Sequence, residues 1–80
     1  MQEQREPTFG EKACGVSFNP GGHANVTAIK AAFAAIVDIL DVSRAATDNK
    51  DVARMYSIAI TEAQTAQMWA VKAATWGFKS

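Results

Sequence analysis

Cysteine, histidine and proline are scarce in this chain: its 80 residues hold one Cys, one His and two Pro. A single thiol, Cys14, excludes an internal disulfide, and without a CxxC pair or a Cys/His cluster no zinc-ligand spacing exists. A lone thiol fits a reducing cytoplasm. Charge of one sign is missing as well, because eight basic and eight acidic residues cancel. That balance argues against a DNA- or RNA-binding protein, which needs a large basic face. A small anionic ligand needs only a few cations and is not excluded. Long apolar runs are absent: the longest, residues 31–37 (AAFAAIV), is far too short to cross a bilayer. The opening residues 1–10 (MQEQREPTFG) are polar and lack the apolar core of a signal peptide. We therefore expect a soluble, intracellular chain with no membrane partner, and its length allows one small domain.

Catalytic patterns are also lacking. His23 has no Ser/His/Asp arrangement around it, and Cys14 has no evident activating base. Asp38 and Asp41 lie three apart, which makes them one polar helix face and not an opposed acid/base pair. Residues 19–22 (NPGG) form a turn able to direct backbone N–H groups at a phosphate, but no Gly-Lys-Ser/Thr follows as in a Walker A loop. The expectation is binding without turnover: no catalytic residues, no metal and no cofactor.

What is present is helical periodicity. Residues 1–17 read as irregular or a short helix, punctuated by Pro7, Gly10 and Gly15. Asn25 is a plausible N-cap, with a start at Asn19–Pro20 as the alternative. From there Val26, Ile29, Phe33, Ile36 or Val37, and Leu40 recur at three- and four-residue steps, which predicts a helix fading near Val42–Ser43. Residues 43–50 (SRAATDNK) then connect to a second helix capped by Asp48 or Asn49 and running from about Asp51 to about Thr75, before Gly77. This helix carries two stripes. Val52, Tyr56, Ala59, Ala63, Ala66, Ala70 and Ala73 form one of mostly small residues, suited to close helix packing. Met55, Ile58, Thr65, Trp69 and Trp76 form a bulkier one on another side. The expected fold is all-α: a segment over 1–17, then an antiparallel helical hairpin over 18–80. Two helices have no interior, and with 49% hydrophobic residues a monomer would expose a large patch, so hairpins must pack on hairpins as a homo-oligomer.

Two aromatic/cation pairs stand out. Residues 68–75 (MWAVKAAT) put Trp69 and Lys72 on one helix face, and Phe18 precedes Lys30 upstream. An aromatic plane beside a cation suits a ligand that is part base and part phosphate. The plainer alternatives are that Trp69 and Phe18 pack helices, that Lys72 favours a helix C-terminus and that Lys30 is solvated.

Three stretches together, residues 18–22 (FNPGG), 26–40 (VTAIKAAFAAIVDIL) and 63–75 (AQTAQMWAVKAAT), resemble the helical hairpin domain shared by the phage anti-CBASS and anti-Thoeris sponges. These counter-defence proteins sequester nucleotide second messengers of bacterial immunity. The resemblance spans about residues 16–76, and the chain's size is nearest the compact anti-CBASS members. It implies a homohexamer of hairpins that binds cyclic dinucleotides between protomers, and cyclic trinucleotides at separate sites, without cleaving them, in the cytoplasm of an infected bacterium. In compact members an aromatic ahead of the first helix stacks on a base and a lysine in that helix meets phosphate. The matching positions are Phe18 and Lys30, with Asn19 a polar neighbour and Phe18 standing where tyrosine is frequent. Trp69, Lys72 and Thr75 match ligand roles near the C-terminus, and Arg54 and Glu62 are candidates for a second pocket. Two alternatives remain: a sponge for cyclic ADP-ribose isomers, and a helical oligomerisation or adaptor module that binds a protein partner.

Overall fold

The computed structural model describes residues 6–15 and 23–76. Within them the chain forms three helices: α1 (Phe9–Cys14), α2 (Ala24–Ala46) and α3 (Lys50–Ala74). The family of local signals that builds them is mostly side chain to backbone. Thr8 and Glu11 close a reciprocal capping box around the start of α1: the Thr8 hydroxyl accepts from the Glu11 N–H at 3.0 Å, and the Glu11 carboxylate accepts from the Thr8 N–H at 2.9 Å. Gly15 ends the helix in the left-handed region, φ 61° and ψ 46°, where a Cβ would be strained.

Helix α2 begins before the expected Asn25 cap. His23 occupies the N-cap position in extended conformation without a side-chain cap bond. Its carbonyl accepts both the Thr27 N–H and the Thr27 hydroxyl, and those bonds set the start. The helix also outruns the expected stop at Val42–Ser43 and continues to Ala46. The Ser43 hydroxyl turns back onto the Ile39 carbonyl at 2.8 Å, so it does not compete for the ladder, and Ala45–Ala46 are strong helix formers. The connection shrinks to residues 47–49. Of the two expected caps, Asp48 and Asn49, it is Asn49 that starts α3, its side-chain oxygen accepting from the N–H groups of Asp51 and Val52.

The three-residue connection makes α2 and α3 antiparallel neighbours. Helix α1 lies antiparallel on α2, with Gly10 beside Asp38 and Gly15 beside Lys30, and it also touches α3. The core sits where all three meet: Cys14, Ala34, Val37 and Ile60 are buried, with Ala13, Phe33, Leu40 and Ala63 packed around them. Val37 is fully buried. A full aliphatic side chain removed from water contributes about 1.5–3 kcal/mol, so this small cluster supplies much of the burial that the chain achieves by itself. The expected boundary at 17/18 falls among residues 16–22, outside the described residues.

The inward row of α3 differs from the small-residue stripe. Ile60 and Gln67 are its buried members, Tyr56, Ala63 and Ala70 are half-buried, and Ala66 and Ala73 face outward. Half-buried Gln64 is turned inward to α1, its amide donating to the Ala13 carbonyl at 3.3 Å. The bulky stripe is external. Met55, Ile58, Trp69 and Trp76 are exposed, as are Ile39 and Val42 on α2.

Helix α1 approaches α2 most closely at Gly10. A Cβ there would collide with the Ala34 carbonyl oxygen and lie 2.8 Å from Asp38 Oδ1. Gly10→Ala should therefore destabilise the fold by about 1–3 kcal/mol, read from urea unfolding at fixed protein concentration; an unchanged midpoint would refute the close contact. Burial raises the pKa of the Cys14 thiol, the Asp38 carboxylate adds to the rise, and Lys30 partly offsets it. The native thiol should then react with iodoacetamide at pH 8 at least about tenfold more slowly than in urea. Because the folded pKa is raised, the thiol's contribution to stability is present below its ordinary pKa and is lost as pH climbs through the folded value. Equal native and unfolded alkylation rates would contradict this.

Candidate functional site

Two cationic positions carry the site residues, and they lie in different parts of the fold. The first is the C-terminal turn of α3. Residues 69, 72 and 76 are spaced three and four apart, so one helix face presents all three. The helix end keeps that spacing through Trp76: the Thr75 N–H and hydroxyl both bond the Val71 carbonyl, at 3.0 and 2.9 Å, and the Trp76 N–H bonds the Ala73 carbonyl. Trp76 thus stays above the same turn as Lys72.

Lys72 Nζ stands 5.1 Å from the Trp69 ring centroid and 5.8 Å from that of Trp76. Both are cation–π distances, worth about 0.5–1 kcal/mol each at exposed positions. The indoles are 64% and 75% exposed, so neither fills the inter-helix gap of this chain. With Ala73 the three side chains line an open groove of 480 Å³, within the range of small-molecule sites. The groove offers two flat apolar faces and one ammonium. That set can hold an aromatic ring and an anion.

The second position is Lys30, on the inner side of α2. The expected alternatives for it were a solvated side chain or a phosphate contact, and the first is corrected here: Lys30 is only 6% exposed. Its ammonium donates to the Gly15 carbonyl at 3.1 Å, at the C-cap of α1. A buried charge needs such a partner. At the other end of α1, Asp38 Oδ1 accepts the Gly10 N–H at 2.7 Å. Asp38 is therefore more than a polar face of α2, because it holds the first turn of α1. Asp41 instead pairs with Arg44 at 2.7 Å, and Arg44 also donates to the Ser57 hydroxyl and lies 5.6 Å from the Phe9 ring centroid, which links all three helices.

Phe18 and Asn19, together with the NPGG turn, lie outside the described residues. Thr75 is adjacent to the α3 groove, but its hydroxyl closes the helix end. Arg54 and Glu62 are exposed on α3. A second open groove, of 350 Å³, is lined by Leu40, Val52, Met55, Tyr56 and Ala59. Among the described residues no cluster of His, Cys, Asp and Glu could hold a metal ion, and no helix is long and apolar enough to cross a membrane. Trp76, which lines the α3 groove, and Asp38, which holds α1, were not among the candidate site residues read from the sequence. The 69/72/76 spacing was a usable signal for Trp76. Asp38 had none, because its partner Gly10 is 28 residues away.

No curated protein and no solved structure matches the chain. The family model for the Acb2/Tad1 hairpin domain matches residues 11–75, from within α1 to the end of α3. That match covers both cationic positions and most of the chain, and the chain belongs to the Acb2/Tad1 hairpin-domain family.

Proposed function

We propose that the chain is a phage counter-defence sponge that binds and sequesters cyclic dinucleotide immune messengers, and also takes cyclic trinucleotides, without turnover. It would act in the cytoplasm of an infected bacterium. The observation that carries this reading is an ammonium set against two exposed indoles on a hairpin of this family. Bases stack on indoles and phosphate oxygens meet the ammonium.

Lys30 is the second cation in the proposal. Phe18 and Asn19, which follow Gly15 closely in sequence, are assigned to the same pocket as base-stacking and polar partners. The sponge is further proposed to be a homo-oligomer, a hexamer by the resemblance. The exposed row of Met55, Ile58 and Trp69 supports association. Symmetry duplicates every contact, and a cyclic dinucleotide is itself close to twofold. Two stacks at about 1–3 kcal/mol each and two charge-assisted bonds at about 1.5–3 kcal/mol each approach the roughly 12 kcal/mol of nanomolar binding.

Calorimetric titration against cyclic dinucleotides, cyclic trinucleotides and cyclic ADP-ribose isomers tests the reading. Tight binding of a cyclic dinucleotide, recovered intact after denaturation, is expected. Preference for a cyclic ADP-ribose isomer would move the chain to the alternative messenger class, and recovery of a linearised product would make it a nuclease. Binding to none of the panel would end the sponge reading in favour of an adaptor module.

Lys30→Ala should weaken the cyclic dinucleotide Kd at least about tenfold, the equivalent of one charge-assisted bond, with oligomer mass by light scattering unchanged. Trp69→Ala and Lys72→Ala should each weaken binding of the ligand seated in the α3 groove by about 1–3 kcal/mol. Unaltered affinity for the whole panel in both variants would remove that groove from the ligand site.

A further inference from the structure

Helix α1 is six residues long and too short to persist alone. Its free ends are taken up from outside. Asp38 accepts the Gly10 N–H at 2.7 Å, the Gln64 amide reaches the Ala13 carbonyl at 3.3 Å, and Lys30 donates to the Gly15 carbonyl at 3.1 Å. Asp38 and Lys30 both belong to α2, eight positions apart. Eight residues rise about 12 Å along a helix, against about 7.5 Å for the five from Gly10 to Gly15, and the long Lys30 side chain spans the difference. Cys14 lies between them, and its thiol feels both charges, with opposite sign. The missing side chain of Gly10 allows the seating, since a Cβ would strike the Ala34 carbonyl oxygen.

We propose that Asp38 and Gly10 are positioning residues for the Lys30 ammonium: they seat α1 on α2, and the seated helix presents the Gly15 carbonyl that holds Lys30 in place. The inference rests on the sponge reading for its functional meaning, because Lys30 is the cation assigned there to phosphate. A lysine side chain carries about 2 kcal/mol of rotamer freedom. Holding it before the ligand arrives removes that loss from the binding step. Asp38 touches no ligand in this scheme. It acts through α1 and then through Lys30, so an acid beside the first turn of α1 controls a cation beside its C-cap.

The link is measurable without any ligand. Trace acetylation with acetic anhydride, followed by peptide mass spectrometry, compares Lys30 with the exposed Lys50 and Lys72. In the native protein Lys30 should label about tenfold more slowly than either. Asp38→Ala should raise its rate several-fold towards theirs, whereas Asp38→Asn, which keeps the acceptor oxygen, should leave it slow. Gly10→Ala reaches the same end by pushing α1 away and serves as the independent variant. Because α1 supplies only six residues, its release leaves the far-UV helix signal nearly intact, which separates undocking from unfolding. A Lys30 rate that stays slow in folded Asp38→Ala and Gly10→Ala overturns the proposal.

The binding arm uses the cyclic dinucleotide that the native protein takes up. Asp38→Ala should weaken it about tenfold, and should add nothing in a Lys30→Ala background, because both act on one contact. Additive losses would overturn action through Lys30. If the native protein binds no cyclic dinucleotide, the sponge reading fails by itself, and the labelling arm still decides whether Asp38 and Gly10 position Lys30.

Discussion

Helix α1 can touch α2 closely because residue 10 has no side chain. The Gly10 backbone comes against the Ala34 carbonyl, and only at that separation does Asp38 reach the Gly10 N–H and Lys30 reach the Gly15 carbonyl. The core depends on the same contact, since Cys14 and Ala13 enter it from α1. Without α1 the core would lose Cys14 and Ala13, and the face of α2 at Ala34 would lose its cover.

Seating α1 covers one part of the hairpin and leaves the rest bare. Large apolar side chains remain exposed on α2 and along α3, ending in two indoles that flank a lysine. A domain this small cannot wrap itself in polar surface while keeping 49% hydrophobic residues. Its outward surface is therefore organised for contact, with self-association along the apolar row and ligand capture at the cationic positions as the proposed uses. The charges are few but placed with purpose. Arg44 joins three helices through Asp41, Ser57 and Phe9, and Asp38 and Lys30 hold the two ends of the shortest one.

Much of this was legible in the residues because helices are built from local rules. The three- and four-residue recurrence of Val26, Phe33, Val37 and Leu40 revealed α2, and the Asp48–Asn49 pair announced the start of α3. The pairing of Trp69 with Lys72 followed from spacing on one helix. The starting point of α2 was less legible. Asn25 is a good capping residue by type, but the bonds from Thr27 to the His23 carbonyl move the boundary two residues earlier. The inward row of α3 was misread for a related reason. Glutamines score as surface residues until a carbonyl on another helix is there to receive them, as Ala13 is for Gln64.

By itself, the sequence determined the all-α class, the hairpin, the existence of a separate bulky stripe and the aromatic/cation pair of α3. Each depends on residues within one or two helical turns, where backbone geometry sets who meets whom. Only the tertiary structure decided what Lys30 and Asp38 do. Their partners, Gly15 and Gly10, lie 15 and 28 residues away, and no periodicity links a helix to the short segment that lies across it. A charged residue on a helix reads as solvated until another chain segment removes its water, and here the close approach at Gly10 removes it.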